Sequence, residues 1–286
     1  MIQGIWLANW WSVVTMKIII FSDLDASLLD ENDYSFDSAS GALTLLKDKD
    51  IPLVFNSSKT FSEMLLWKEK MNNTWPFVFE NGTGLAVPVD QFADFSSGQI
   101  EKNHYIKING KDYAEILGTL VHLRSQGFKF QGFHDMTAEE VAEVTSLPAT
   151  MAEMSLLRKG SEPILWQGDE SSFHRFKDLL EENQLQCIEG GRFYHIKSLS
   201  NKATGVKALL PCFEKQYKKI ITVGIGDSKN DLPLLEVCDY GIAIPNPAKK
   251  QLQPQQKNLI RPGSPGPAGW AEGVTRVLGI IEKQNG

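Results

Sequence analysis

Met16-Lys-Ile-Ile-Ile-Phe-Ser-Asp23-Leu-Asp25 decides how this chain is read. An Ile-rich run of this kind reads as a strand buried on both faces, as in parallel sheets. It ends on two aspartates. Far downstream a second apolar run, Lys219-Ile-Ile-Thr-Val-Gly-Ile225, ends on Gly226-Asp227-Ser228-Lys229-Asn230-Asp231. Parallel strands bring their C-terminal ends to one sheet edge, where open α/β sheets bind ligands. Asp23, Asp25, Asp227 and Asp231 then converge. Like charges that close do not all stay ionised without a cation. A hard divalent ion, Mg²⁺, is the simplest partner for them, and this points to phosphoryl chemistry.

Outward from these runs, strand and helix signals alternate. A helix with Ala42, Leu45 and Leu46 on one face, capped by Asp37 or Ser38, leads to the strand Ile51–Phe55. Asn56-Ser57-Ser58-Lys59-Thr60 turns into a helix, and Phe77-Val-Phe79 is the next strand, ending at Glu80-Asn81-Gly82. This order predicts an α/β fold with a doubly wound parallel sheet. Between about Pro88 and Glu189 the pattern changes. A helix around Tyr113–Val121, a strand at Phe128–Gln131, a capping box at Thr137–Glu140, a strand at Pro163–Trp166 and a helix at Phe173–Leu180 form an inserted α+β unit. The core resumes with a helix from Lys202 that Pro211 breaks or kinks. After Asp231 come a helix with Pro233 in its first turn and a strand at Tyr240–Ile244. An irregular loop over Asn246–Gly269 and a closing helix from Trp270 to Glu282 follow. The expected divisions are 1–15, an extension preceding Met16; 16–87, the first part of the core; 88–189, a cap; and 190–286, the second part of the core.

The chain has 286 residues, a net charge of −6 and three cysteines without paired spacing. The acidic balance excludes a nucleic-acid partner as the default, and the cysteines read as reduced thiols of a cytoplasmic protein. No stretch reaches transmembrane length. The apolar segment before Met16 lacks the basic region of a secretory signal. It reads either as sequence upstream of the true start or as a Trp-rich interfacial segment (Trp6, Trp10, Trp11).

Each motif has two readings. In Asp23-Leu-Asp25 one carboxylate suits a nucleophile and the other a general acid/base; the plain alternative is two solvated turn acids. Asp227 and Asp231 suit metal ligation beside a glycine that permits close backbone approach, or simply cap a helix. The Ser57 hydroxyl, with nearby N–H groups, suits a phosphate oxygen or caps the following helix. Lys202 suits charge neutralisation on a phosphoryl group, with Lys197 and Lys207 as rivals.

Taken together in this order, Asp23-Leu-Asp25, Ser57, Lys202 and Asp227/Asp231 resemble the four motifs of the haloacid dehalogenase superfamily, in its phosphatase branch. The insertion resembles the α/β cap of Cof-like members. A narrower similarity covers Met16 to the last helix: Ser57-Ser-Lys-Thr60, Glu80-Asn-Gly82, Gly132-Phe-His-Asp-Met136, Arg158 with Ser161-Glu-Pro163, Gly190-Gly-Arg-Phe-Tyr-His195, Asn230-Asp-Leu-Pro233 and Gly266-Pro-Ala-Gly-Trp270 look like mannosyl-3-phosphoglycerate phosphatases.

The resemblance implies a Mg²⁺-dependent hydrolysis through an aspartyl-phosphate. Asp23 is then the nucleophile and Asp25 the acid/base. Asp23, Asp25 (by its carbonyl), Asp227 and Asp231 hold the metal, and Ser57 and Lys202 hold the phosphate. Substrate contacts fall to Lys59, Thr60, Glu80, Asn81, Arg158, Ser161, Glu162, Gly191, Arg192 and Asn230. The substrate it implies is a small phosphorylated glycoside, mannosyl-3-phosphoglycerate. The alternatives are the glucosyl analogue, another sugar phosphatase, a phosphomannomutase, or a phospho-accepting switch or carbohydrate-binding regulator that keeps Asp23 but does not turn over. The chain departs from the family where Gly-Thr usually follows the second aspartate, having Ala26-Ser27. It also has Ala203 in place of Gly after the third-motif lysine, and Asn201 in place of an acid before it.

Overall fold

The computed structural model describes residues 16–93, 95–190 and 192–285. The chain runs through β1 (Lys17–Ser22), α1 (Ser40–Asp48), β2 (Leu53–Asn56), α2 (Phe61–Lys70), β3 (Phe77–Phe79), β4 (Gly84–Pro88), β5 (Gln99–Glu101) and β6 (His104–Ile108). It continues through α3 (Tyr113–Ser125), β7 (Phe130–Gly132), α4 (Ala138–Thr145), α5 (Ala149–Leu156), β8 (Ser161–Trp166), α6 (Glu170–Glu182), β9 (Leu185–Gly190) and β10 (Phe193–Ser198). It finishes with α7 (Lys202–Tyr217), β11 (Ile220–Gly226), α8 (Leu232–Val237), β12 (Tyr240–Ala243), β13 (Leu259–Ile260) and α9 (Gly266–Asn285). Two sheets result. The larger has the order β13-β12-β11-β1-β2-β3-β4-β6-β5 and is parallel from β13 to β3; the smaller, β7-β8-β10-β9, is antiparallel.

The large sheet is covered on both faces, as its apolar runs require. Along β1, Ile20 joins the layer of α1, α2 and α9, which includes Leu46, Phe61, Trp270 and Val274. Its neighbours Ile19 and Phe21 point the other way, into the layer of α7 and α8 with Val206, Phe213 and Leu234. This period of two makes the sheet doubly wound, as expected. The cap has its own core, in which Ile116 and Leu120 of α3 and Phe176 and Leu180 of α6 pack on Ile164 and Ile196.

The divisions differ from the expected ones. β4, β5 and β6 extend the large sheet, so the cap elements begin after Ile108, not at Pro88. Its last strands, β9 and β10, carry it past residue 189 to Ser198. Short hairpin strands carry no mark of which sheet edge they will join. Helix α7 also runs on through Pro211 to Tyr217. Pro211 is exposed and removes only the bond to the carbonyl of Lys207, also on the exposed side, which water can satisfy. α1 starts after a single 3₁₀ turn and has no side-chain cap from Asp37 or Ser38. The elements not expected are β4, β5, β6, α5, β9, β10, and β13 within the stretch read as a loop, where α9 also begins. The segment 1–15 lies outside the described residues.

Candidate active site

Sheet register places the acidic groups. Parallel pairing sets Ser22 beside Ile225, and the Asp23 N–H donates to the Ile225 carbonyl at 2.9 Å. Both strands end at one edge, so Asp23, Asp227 and Asp231 offer carboxylate oxygens that all lie within 4.8 Å of one another, and all three residues are buried. Gly226 permits this: a Cβ there would sit 2.3 Å from the Cβ of Asp231. Asp23 is steadied from behind, where Ser22 Oγ donates to its carbonyl at 2.7 Å and Trp270 Nε1 donates to Ser22 Oγ at 2.8 Å.

Lys202, at the first position of α7, lies 2.7 Å from Asp23 Oδ1 and also bonds Asp231 Oδ1. Burial alone would lower its pKa, but the Asp23 and Asp231 carboxylates outweigh that and hold it above the ordinary lysine range. For Asp23, burial and the Asp231 carboxylate push the pKa well up, against the pull of Lys202. The second oxygen of Asp231 accepts from the N–H groups of Asp227 and Ser228. Asp227 Oδ2 accepts from Asn246 at 2.8 Å and from Lys249 at 2.6 Å. Asp227 Oδ1 is buried without a hydrogen-bond partner. An orphaned carboxylate oxygen beside two further buried carboxylates fits a hard divalent cation, which takes oxygen ligands. Asn246 and Lys249 were not expected. They lie in the stretch read as a plain loop, and the only signal for them is its position just beyond β12, at the same sheet edge.

Asp25 stands apart from this cluster. Its carboxylate pairs with Lys59 Nζ at 2.7 Å. Burial opposes the charge on Lys59, but Asp25 and Glu63 outweigh it and raise its pKa. Ser57 follows β2 and is fully buried. Its N–H is committed to the Val78 carbonyl at 3.1 Å, so its hydroxyl is the group left to face an anion.

The other expected substrate residues mostly join cap to core. Thr60 caps α2 in a capping box with Glu63 and donates from Oγ1 to the Met154 carbonyl of α5 at 2.9 Å. The buried Glu80 carboxylate accepts from the N–H groups of Lys159 (2.8 Å) and Gly160 (3.1 Å) and from Ser161 Oγ (2.7 Å). Arg158 lies against Ser161, donating from Nε to its carbonyl at 2.9 Å and from Nη2 to its Oγ at 2.9 Å. Glu162 accepts from the His134 N–H and from Tyr113 OH, each at 2.8 Å, and burial raises its pKa. Asn81 Oδ1 accepts from Asn230 Nδ2 at 3.0 Å. Arg192 is exposed and turns to the Val144 carbonyl. Gly191 lies outside the described residues.

Comparison with known proteins gives three findings. The haloacid dehalogenase-like hydrolase family matches residues 20–261. A glucosyl-3-phosphoglycerate/mannosyl-3-phosphoglycerate phosphatase of Persephonella marina is 36% identical over 269 residues, covering 93% of this chain and 99% of the relative. One of Methanococcoides burtonii is 34% identical, covering 92% and 98%. In fold, a Thermoplasma acidophilum protein superposes with a TM-score of 0.62 at 14% identity, covering 94% of this chain and 99% of that one. The sucrose-phosphatase of Synechocystis, solved with sucrose and phosphate, gives 0.58 at 13% identity over 92% and 98%.

Proposed function

This chain belongs to the haloacid dehalogenase-like hydrolases, and we propose that it removes phosphate from mannosyl-3-phosphoglycerate, and from the glucosyl analogue that its relatives' names also carry. The observation that carries the reading is the meeting of three buried carboxylates with an orphaned oxygen at the sheet edge that also bears Ser57 and Lys202. Asp23, Asp227 and Asp231, with the Asp25 carbonyl, would hold Mg²⁺. Such an ion supplies the charge that keeps the carboxylates ionised and screens an incoming phosphate.

Asp23 attacks phosphorus in line and takes the phosphoryl group as an aspartyl-phosphate. Ser57 and Lys202 hold the phosphoryl oxygens. Asp25, oriented by Lys59, protonates the departing glycerate oxygen, and the same carboxylate then takes a proton from the water that cleaves the acyl-phosphate. The cap excludes bulk water and grips the sugar-acid portion. The products are phosphate and mannosylglycerate, a compatible solute, and the reading places the enzyme in the cytoplasm. Among the described residues no helix is long and apolar enough to cross a membrane. The test is phosphate release from mannosyl-3-phosphoglycerate, its glucosyl analogue and simple hexose phosphates, with Mg²⁺ and with chelator. Selective, chelator-sensitive release supports the reading. Equal rates on every ester remove the sugar-acid assignment, metal-independent release removes the ion, and an isomeric sugar phosphate in place of free phosphate marks a mutase.

A further inference from the structure

Lys197 closes β10 on the cap and has no exposed surface. Its ammonium donates to the Asn81 carbonyl at 2.6 Å and to the Ser200 carbonyl at 3.0 Å. Among the described residues no carboxylate pairs with it. A cation taken out of water without a counter-ion is expensive to keep, and an apolar side chain of similar length would serve packing better. Ser200 needs it little, because its carbonyl also accepts from Gln186. The bond that matters is therefore the one to Asn81.

Asn81 reaches in three directions. Its carbonyl receives the cap through Lys197. Its N–H donates to the Ser57 carbonyl at 2.9 Å. Its Oδ1 holds Asn230, whose own Oδ1 accepts from Ser228 Oγ, and the Ser228 N–H holds the second oxygen of Asp231. The loop around Asn81 is preset: Glu80, Asn81 and Gly82 have φ of +49°, +56° and +89°, all in the left-handed region. A Cβ at Gly82 would sit 1.8 Å from the Asn201 carbonyl, so the turn is wedged against the start of α7. Thr60 and Glu80 also join cap to core, but among the described residues no side-chain hydrogen bond runs from either to Ser57 or Asn230.

We propose that Lys197 and Asn81 are positioning residues that couple cap seating to catalysis. The Lys197 ammonium fixes Asn81, and Asn81 fixes Ser57 and the 228–231 loop, so the phosphate-binding and acidic groups come into line when the cap is seated on substrate. The inference rests on the phosphatase reading of the cleft and adds the residues that turn cap seating into rate.

The experiment compares Lys197→Met, Lys197→Gln, Asn81→Gly and the double variant Lys197→Met/Asn81→Gly. Glycine keeps the positive φ while removing the side chain. Substrates are mannosyl-3-phosphoglycerate and p-nitrophenyl phosphate, which has no sugar-acid portion to seat the cap. Lys197→Met lowers kcat on the glycosyl substrate about 10- to 100-fold with KM within about threefold, and leaves p-nitrophenyl phosphate turnover within about twofold. Lys197→Gln, which keeps a donor, recovers part of the loss and stands in should the methionine variant fail to fold. Asn81→Gly lowers turnover of both substrates. The double variant falls by less than the product of the single losses, because the arm from Asn81 to Asn230 is shared while the backbone arm to Ser57 survives in Asn81→Gly. Equal loss on both substrates for Lys197→Met, a change in KM alone, or additive losses each overturn the relay. Failure of the phosphatase reading shows separately, as no turnover by the unaltered protein.

Discussion

Lys197 and Lys202 stand five residues apart, one closing the cap and the other opening a core helix, and both are buried to 1% exposure or less. Their charges are shifted in opposite directions. At Lys197 burial prevails over the attraction of Glu80 and brings the pKa down to about 7. At Lys202 the Asp23 and Asp231 carboxylates overcome burial and raise it. The contrast extends to the regions around them. On the core side three buried carboxylates face the buried Lys202 ammonium and the exposed one of Lys249, with an oxygen left unpartnered. On the cap side Glu80 and Glu162 have both oxygens hydrogen-bonded. An unbalanced cluster is suited to a cation and a reaction, whereas a saturated one holds segments in place.

The largest expected effect breaks the core half. Asp23→Asn keeps the side-chain volume but removes the proposed nucleophile, and should lower kcat for phosphate release about 10⁴- to 10⁶-fold. Retention of activity within about tenfold of the unaltered protein would return Asp23 to an electrostatic role. Breaking the cap half costs stability instead. Glu80→Ala leaves the Lys159 and Gly160 N–H groups and the Ser161 hydroxyl without their acceptor, a loss of about 2 kcal/mol or more. The readout is a lower urea midpoint at unchanged slope, with a raised KM for the glycosyl substrate. An unmoved midpoint would mean that other contacts seat the cap.

The two lysines also predict a pH signature. The folded pKa of Lys197 is about 7, below the roughly 10.4 of an unfolded lysine. Below pH 7 both states carry the proton and this group adds no slope. Between 7 and 10.4 the unfolded chain binds more protons, so stability rises with pH, by at most about 1.4 kcal/mol per unit. Charge burial thus costs most at neutral and acid pH. The unfolding free energy of the unaltered protein minus that of Lys197→Met should rise across this window, and a flat difference would show that Lys197 is hydrated in solution. The smallest expected effect is at Ala26, which holds φ at +55°. Ala26→Gly relieves about 1 kcal/mol of left-handed strain, partly offset by the freer unfolded chain. A rise in Tm of about 2 °C is expected, and a fall would mean that the unfolded-state term dominates.

Much of the frame was legible in the chain. The runs 16–22 and 219–225 became neighbouring parallel strands because buried apolar sequence is a local property, and the aspartates after them were carried to one edge by that pairing. The capping box at Thr137 and Glu140 and the proline at the start of α8 were likewise readable, since each involves groups within one helical turn.

Other features depend on distance in space. Glu80 looked like a sugar ligand, and the fold gives it to residues 159–161; Thr60 looked the same and meets Met154. Asn246 and Lys249 meet Asp227, and only their place just beyond the strand Tyr240–Ala243 hinted at it. Residues 88–108 read as cap and were claimed by the core sheet. By itself the sequence determined which acidic groups are candidates for the site and which strands carry them, because residue type and hydrophobic period are written locally. Only the tertiary structure decided what each carboxylate bonds, because hydrogen-bond partners are settled by packing between elements far apart in the chain, and a buried acid takes whichever donors that packing brings within reach.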